Sequence, residues 1–335
     1  QAPLVVTYVA NCGVLVASGE TKILIDALFD KPNEAYRAPA PEVLDRMMKG
    51  LVPFDGVDLV LVTHNHPDPF DAALAVRYLE ASRKSLLLAP ADAVAEMRTA
   101  APEWARIASR VIALDLTAGQ QAKRDPAHIP VTAFRTLHSG DRDSPMNLMY
   151  LVDVGGWRVF HEGDSNGKFD GFGLENASAD LALVHYWFPL EPNAARFLQE
   201  VLKPRHIALT HLPIRLEGDA PSKIDAVRKY YQDIYLLLPG TPPRTFQPSA
   251  TAQPLDGVWL SDGYGYVIEI EADTMRVSES TSVSCIPAFT ARRKPGLPAR
   301  DVFQIEGRSG ELEILPGLSA EELQVHQAGA ASDVV

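Results

Sequence analysis

The segment LVLVTHNHPDPFD, residues 59–71, carries the side chains best suited to chemistry in this chain. An aliphatic run ends at Thr63, and His64, His66 and Asp68 then follow at alternate positions. Alternate residues of an extended segment project from the same side of the backbone, so the two imidazoles of the H-x-H pair can approach one cation. The spacing predicts a metal site at the end of a buried strand.

Further polar residues stand at or just after the ends of other predicted strands. His138 ends PVTAFRTLH, Asp164 comes shortly after WRVF, His185 ends LALVH and His211 ends HIALTH. Taken singly, each of these residues would more often be a cap, a turn residue or a surface residue. In a layered α/β domain, however, strand ends of this kind lie along one edge of a sheet. We therefore expect these side chains to converge on one rim.

The sequence leaves the roles of several neighbouring residues open. His185, Tyr186 and Trp187 could wall a substrate pocket, although core packing explains the aromatic pair equally well. His161 could lie beside the metal, point towards a substrate or occupy the surface. No role is assigned to the remaining histidines, which are His128, His206 and His326.

Composition narrows the class of protein. The chain of 335 residues has a formal net charge of −12 and no Lys/Arg cluster, so a nucleic-acid partner is not expected. No apolar run approaches the roughly 18 residues of a membrane span. Cys12 and Cys285 are predicted to be two buried thiols. The opening Gln1 suits an exported periplasmic or secreted protein, and equally a cytoplasmic protein or a fragment boundary.

The order of predicted elements indicates a layered α/β domain followed by a small all-β module. A β-meander over residues 4–25 precedes strands that alternate with helices, and Asp71 is placed as the N-cap of the helix that ends near Ser82. We predict a first domain over residues 1–240, a Pro-rich linker over 241–254 and a β-rich module over 255–335.

These motifs resemble the metallo-β-lactamase superfamily in their order and intervals. The residues that carry the resemblance are T-H-N-H-P-D at 63–68, His138, G-D-S at 163–165 and T-H at 210–211. The opening VANCGVLVASGETKILIDALF is similar to the first hairpin of its broad hydrolase branch, which includes ascorbate-phosphate lactonases and N-acyl-phosphatidylethanolamine phospholipases D. The resemblance covers about residues 4–240. It implies an αββα sandwich with one or two zinc, manganese or iron ions at the rim between its sheets.

The resemblance also assigns ligand roles to residues of this chain. It places His64, His66 and His138 on a first metal, Asp164 between two metals, and Asp68 with His211 on a second. The family pattern H-x-H-x-D-H ends here in Pro69, which offers no side-chain donor.

Three consequences of Pro69 stay open at this level. The site could hold one ion, with Asp68 orienting a water. His185 or Asp71 could complete a second position, and His185 is the better candidate because Asp71 is placed as a helix cap. Alternatively, the site could be impaired.

We read the chain as a metal-dependent hydrolase in which a metal-activated water attacks an ester, lactone or phosphodiester, with Asp68 and Asp164 as catalytic residues. Zinc is the first expectation from the His-rich ligand set, and manganese and iron accept the same donors. A non-catalytic binding protein is the alternative from another class, and a nuclease is a second alternative. The substrate is expected to be a small molecule or lipid-like, and the sequence sets no oligomeric state.

Overall fold

The computed structural model of the chain describes all residues except 33, 35, 141, 169–176, 217, 232–233, 249–256, 261–264, 281–284, 295–300, 308, 317–322 and 329–335. The chain divides into two compact units, Gln1–Pro248 and Ser249–Val335. Among the described residues, no helix is both long and apolar enough to cross a membrane.

The first unit contains strands and helices in alternation. Its strands are β1 (Leu4–Ala10), β2 (Gly13–Ser18), β3 (Thr21–Ile25), β4 (Leu59–Leu61), β5 (Leu86–Pro90), β6 (Val111–Leu114), β7 (Gln121–Arg124), β8 (Val131–His138), β9 (Arg142–Val154), β10 (Trp157–His161), β11 (Leu181–His185), β12 (His206–Thr210), β13 (Ile234–Leu236) and β14 (Arg244–Phe246). Its α-helices are α1 (Pro41–Met48), α2 (Ala72–Ala81), α3 (Ala91–Ala100), α4 (Pro192–Arg196) and α5 (Ala220–Tyr230).

The strands form two seven-stranded sheets of matching design. The first has the order β14-β1-β2-β3-β4-β5-β6, and the second has the order β13-β12-β11-β10-β9-β8-β7. In each sheet, an antiparallel half joins a parallel half, at β3 in the first sheet and at β10 in the second. The loose similarity between the two halves of the sequence therefore corresponds to two sheets of the same construction.

The distribution of apolar side chains produces four layers. Leu59 and Leu61 of β4 pack between the sheets, whereas Val60 packs against the cluster that contains α1, α2 and α3. A strand buried on both faces needs a continuous aliphatic run, which explains the unbroken sequence before Thr63. A third cluster joins the outer face of the second sheet to α4 and α5. These layers confirm the predicted αββα sandwich.

The capping prediction for Asp71 is confirmed. Its Oδ1 accepts a hydrogen bond of 2.6 Å from the backbone N of Leu74, in the first turn of α2. A second bond of 2.7 Å joins the backbone N of Asp71 to the carbonyl oxygen of Leu28. These bonds fix the end of the loop that begins at His64, and they give Asp71 a helix-capping role.

Two features of the secondary structure leave no clear signal in the sequence. One is the helical segment after β11, which is α-helical over Pro192–Arg196 and continues as a π-helix over Phe197–Leu202. The short edge strand β7 was missed because its polar sequence QAKR lacks an apolar alternation.

A strand lies within residues 241–254, the segment predicted as a Pro-rich linker. β14 pairs with β1, and Phe246 is buried with its ring centroid 4.8 Å from that of His206. A three-residue strand between prolines leaves no periodic signal in the sequence. Residues 249–254 of this segment lie outside the described residues.

The second unit is an antiparallel sheet with its own core. Its strands are β15 (Gly257–Leu260), β16 (Tyr266–Glu271), β17 (Thr274–Ser280), β18 (Cys285–Arg293), β19 (Asp301–Ile305), β20 (Glu311–Pro316) and β21 (Leu323–Ala328), and they pair in sequence order. Met275, Ala291 and Phe303 are buried in its core. The predicted all-β module is confirmed as a separate sheet. Cys12, in the first unit, is a buried free thiol as predicted, and the Cys285 side chain lies outside the described part of the chain.

Candidate metal centre

Polar residues from separate loops meet at one rim of the sandwich. Nitrogen or oxygen atoms of His64, His66, His138 and Asp164 all lie within 4.8 Å of one another. The imidazole centroids are 5.1 Å apart for His64 and His66, and 4.4 Å apart for His66 and His138. The structure thus gathers three imidazoles and one carboxylate that the sequence only placed at strand ends.

Hydrogen bonds fix the tautomer of His64. The hydroxyl of Thr63 donates its hydrogen to Asp26 Oδ2 at 2.7 Å, so its oxygen must accept from His64 Nδ1 at 2.9 Å. The proton therefore resides on Nδ1, and Nε2 finds no hydrogen-bond partner among the described residues. Burial holds the pKa of His64 well below its usual range, so the ring is neutral and its Nε2 can serve as a ligand.

His138 presents its Nε2 in the same way. Its Nδ1 lies 3.0 Å from the carbonyl oxygen of Ser139, to which it donates, while Nε2 lies 2.9 Å from Asp164 Oδ2. With the proton on Nδ1, the two facing atoms are both electron-pair donors. Such atoms repel at this distance unless they share a proton or a metal ion lies against both of them. The arrangement therefore fits a metal ion.

The G-D-S turn that carries Asp164 depends on a glycine. Gly163 has a φ of +69°, and a Cβ there would lie 2.4 Å from Asn147 Oδ1 and 2.9 Å from Thr63 Cβ. Asn147 Oδ1 accepts a hydrogen bond from the backbone N of Asp164 at 2.9 Å. A side chain at Gly163 would displace the amide that holds the carboxylate in place.

His161 proves to be a buried structural residue. Its Nδ1 accepts from the backbone N of Gly163 at 3.1 Å, and its Nε2 lies 3.3 Å from the carbonyl oxygen of Cys12. Burial lowers its pKa to about 3, so it stays neutral and joins the Asp164 turn to the first hairpin. Of the three roles left open for His161, none describes this position fully.

A second group of ligand candidates adjoins the first. Asp68 Oδ2 lies 3.2 Å from His211 Nε2 and accepts a hydrogen bond of 2.9 Å from Asn11 Nδ2. Burial raises the pKa of Asp68, but the hydrogen bond and charge of His211 outweigh it and leave the pKa below its usual value. The carboxylate is therefore ionised at neutral pH. Nδ1 of His211 has no hydrogen-bond partner among the described residues.

His185 joins the two groups. It is fully buried, its Nδ1 lies 3.3 Å from Asp164 Oδ1, and its ring centroid lies 4.2 Å from that of His211. Burial lowers the pKa of His185 to about 4, with the charge of His211 as the next cause. Its Nε2 finds no hydrogen-bond partner in the described part of the chain. A neutral imidazole thus lies beside Asp164 and His211.

Sequence reasoning missed several residues that support the site. Glu162 is fully buried, and its carboxylate accepts from the backbone N of Ser165 at 3.0 Å and of His185 at 2.9 Å. Burial raises the pKa of Glu162 well above its usual value. Asp26 was also missed, although it ends the strand KILI and thus gave the same strand-end signal as His138. Burial raises the pKa of Asp26 to about 7.

Comparisons with known proteins agree with this architecture. A family model described as "Beta-lactamase superfamily domain" matches residues 21–231, so the chain belongs to the β-lactamase superfamily. No curated protein sequence matches.

Solved structures are similar to this chain. The novel metallo hydrolase Igni18 from the hyperthermophilic archaeon Ignicoccus hospitalis is 17% identical, with a TM-score of 0.50 over 73% of this chain and 99% of that one. The metallo-β-lactamase fold protein YhfI from Bacillus subtilis is 15% identical, with a TM-score of 0.49 over 73% and 100% of the two chains.

Proposed function

We propose that this protein is a metal-dependent hydrolase that uses water to cleave an ester, lactone or phosphodiester bond. The observation that carries the proposal is the mutual approach, within 4.8 Å, of donor atoms from His64, His66, His138 and Asp164. The proposal is also supported by His138 Nε2 and Asp164 Oδ2, which lie 2.9 Å apart and could both bind the same cation. The membership of the β-lactamase superfamily agrees with this reaction class.

In this proposal, the four clustered residues would hold the first ion and fix its position. A divalent cation bound there supplies Lewis-acid polarisation and lowers the pKa of a coordinated water to about 7. Hydrogen bonds from His64 to Thr63 and from Thr63 to Asp26 hold the His64 ring in place. A hydrogen bond to Asn147 holds the turn that carries Asp164. Zinc is the first candidate because three of the four donors are imidazoles, and manganese and iron accept the same set.

Asp68 is assigned the task of orienting the attacking water and accepting its proton. Its carboxylate is ionised, 95% buried and held by Asn11 and His211, so its position is fixed before substrate binds. A fixed acceptor costs no reorganisation during the reaction.

The test of this function is metal content together with hydrolysis. Protein expressed in metal-replete medium and dialysed should retain stoichiometric zinc, manganese or iron by mass spectrometry. It should also hydrolyse 4-nitrophenyl acetate or bis(4-nitrophenyl) phosphate, and a chelator should abolish that activity. A metal-free protein purified from such medium would overturn the proposal. A metal-loaded protein inactive on a broad panel of esters, lactones and phosphodiesters would favour a binding protein.

We also propose that His185 takes the place of the imidazole that Pro69 cannot supply. It would share a second ion with Asp68, His211 and Asp164. His185 lies close to Asp164 and His211, and His211 in turn lies 3.2 Å from Asp68. Glu162 holds the backbone of His185 in place and lies 3.3 Å from its Nδ1.

The prediction for His185→Asn is a fall in metal content from about two ions to about one per chain, since one ligand of the second position is lost. The measurement is titration of the chelator-treated protein with zinc by calorimetry. His128→Asn, an exposed histidine with positive φ, is the control and should retain both ions. Retention of both ions by His185→Asn would remove His185 from the ligand set. A wild-type chain that saturates at one ion would exclude the second position and leave the first intact.

A further inference from the structure

A cavity of about 400 Å³ opens beside the metal centre. Its lining includes Ser139, which follows His138 directly, and Asn166, two residues after Asp164. The lining also includes Tyr186 and Trp187, which are the two residues after His185. The ring centroid of Trp187 lies 4.7 Å from that of His185. The cavity is therefore bounded by residues adjacent in sequence to three of the ligand candidates, and its volume suits a small molecule.

Two lysines from distant parts of the chain line this cavity. Lys168 lies just past the Asp164 turn, and Lys223 lies in α5. The backbone N of Lys168 is bound to Oδ1 of Asn166 at 3.0 Å, and the Asn166 side chain is itself more than nine-tenths buried. Gly167 packs against Glu191, where an added Cβ would come within 2.8 Å of the Glu191 Cβ. These contacts fix the backbone next to Lys168 and so the point at which Lys168 enters the cavity lining.

Lys223 is held at the cavity by two further contacts. Its Nζ lies 2.8 Å from Asp219 Oδ2 and 5.8 Å from the centroid of the Tyr186 ring. The Lys223 side chain is 38% exposed, so the Asp219 pair is a solvent-screened interaction of i,i+4 type. A lysine has three donors, and one carboxylate does not use them all. Lys223 can therefore bind a further acceptor from the cavity.

The lining combines these charges with one aromatic wall. Glu191 is the only carboxylate among the described lining residues, and it limits the number of anionic groups that the cavity accepts. Within the lining, Lys168 and Lys223 carry two positive charges against the one negative charge of Glu191, and Asp219, outside the lining, pairs with Lys223. Tyr186 and Trp187 offer apolar faces. A lining of this kind is too polar for an acyl chain, which disfavours the lipid-like substrate considered from the sequence.

We propose that the substrate is a small molecule with an anionic group, a phosphate or a carboxylate, remote from the bond that is cleaved. Lys168 and Lys223 bind that group by charge-assisted hydrogen bonds, while Tyr186 and Trp187 contact its apolar part. This inference rests on the proposed hydrolase function, because it takes the cavity beside the metal centre as the substrate site.

The experiment measures binding of phenylphosphonate to the zinc-loaded protein by calorimetry at fixed ionic strength. Lys168→Ala and Lys223→Ala are each expected to weaken binding by about tenfold, since each removes one charge-assisted hydrogen bond. Lys229→Ala, an exposed lysine of the same helix α5, should leave the affinity unchanged. Lys223→Arg should retain most of the affinity because it keeps the charge. The uncharged dimethyl phenylphosphonate should bind equally weakly to all variants.

Two outcomes overturn the inference. One is unchanged affinity in both alanine variants, which would show that the metal alone holds the anion. The other is the absence of measurable phenylphosphonate binding by the folded wild-type protein. The same titration on chelator-treated protein separates this inference from the proposed function. A protein that takes up no zinc contradicts the proposed hydrolase function. Weaker phenylphosphonate binding by Lys223→Ala than by the wild-type protein supports the anion site in the cavity, whether or not zinc is bound.

Discussion

His138→Asn is expected to abolish tight binding of the first metal ion and to lower kcat/KM by about a thousandfold. The imidazole Nε2 that faces Asp164 Oδ2 at 2.9 Å is lost, and the amide of asparagine is a far weaker donor. Without the ion, the site loses both the activated water and the polarisation of the substrate oxygen, which together are worth several kcal/mol of barrier. The measurements are metal content after dialysis and steady-state kinetics on the best substrate of the ester and phosphodiester panel.

The matched control for this variant is His128→Asn, which replaces an exposed histidine by the same side chain. It should keep the metal content and kcat/KM of the wild-type protein. Circular dichroism of His138→Asn should show an intact fold, since the ring contributes to the rim and lies outside the three apolar clusters of the first unit. Full metal content and full activity in His138→Asn would contradict the ligand role assigned to His138.

Gly163→Ala is expected to destabilise the first unit by about 3 kcal/mol and to reduce its metal content. The backbone has a φ of +69°, and the new Cβ would lie 2.4 Å from Asn147 Oδ1 and 2.9 Å from Thr63 Cβ. A left-handed conformation costs an alanine about 1–2 kcal/mol, and crowding in a packed interior adds about 1–3 kcal/mol. Urea unfolding and zinc titration measure the two effects.

Gly50→Ala separates strain from crowding. Gly50 has a φ of +59°, close to that of Gly163, but an added Cβ meets nothing within 4 Å. This variant should lose only the strain component, about 1 kcal/mol, and should bind metal normally. If the two variants proved equally stable, the close packing of Gly163 against Asn147 would carry no free energy, and the account of the Asp164 turn would fail.

The periodicity of the sequence predicted most strands and the layered fold because each sheet face is buried. A strand covered on both sides must be aliphatic throughout, and β4 displays that in its sequence. The sequence did not predict elements in which burial produces no periodic pattern of apolar residues. β14 is three residues long, and β7 is polar on an edge. The π-helical turn over Phe197–Leu202 has the same apolar content as an α-helix.

By itself, the sequence determined which side chains can act on a metal. His64 and His66 stand at alternate positions after an aliphatic strand, Asp68 follows them in a turn, and His138, Asp164 and His211 stand at or just after strand ends. Spacing along a chain shows this much because the direction of a side chain follows from local backbone geometry. It also exposed Pro69 as the position where the ligand pattern is incomplete.

Only the tertiary structure decided how those side chains are held and what lies beside them. It brought His185 to within 3.3 Å of Asp164, and it placed the Glu162 carboxylate where it accepts hydrogen bonds from the backbone N of both Ser165 and His185. It also brought Lys223 to the cavity that Lys168 lines. These residues are far apart in sequence or ordinary in local pattern. Contacts between them arise from the packing of two sheets, and no local spacing encodes that packing.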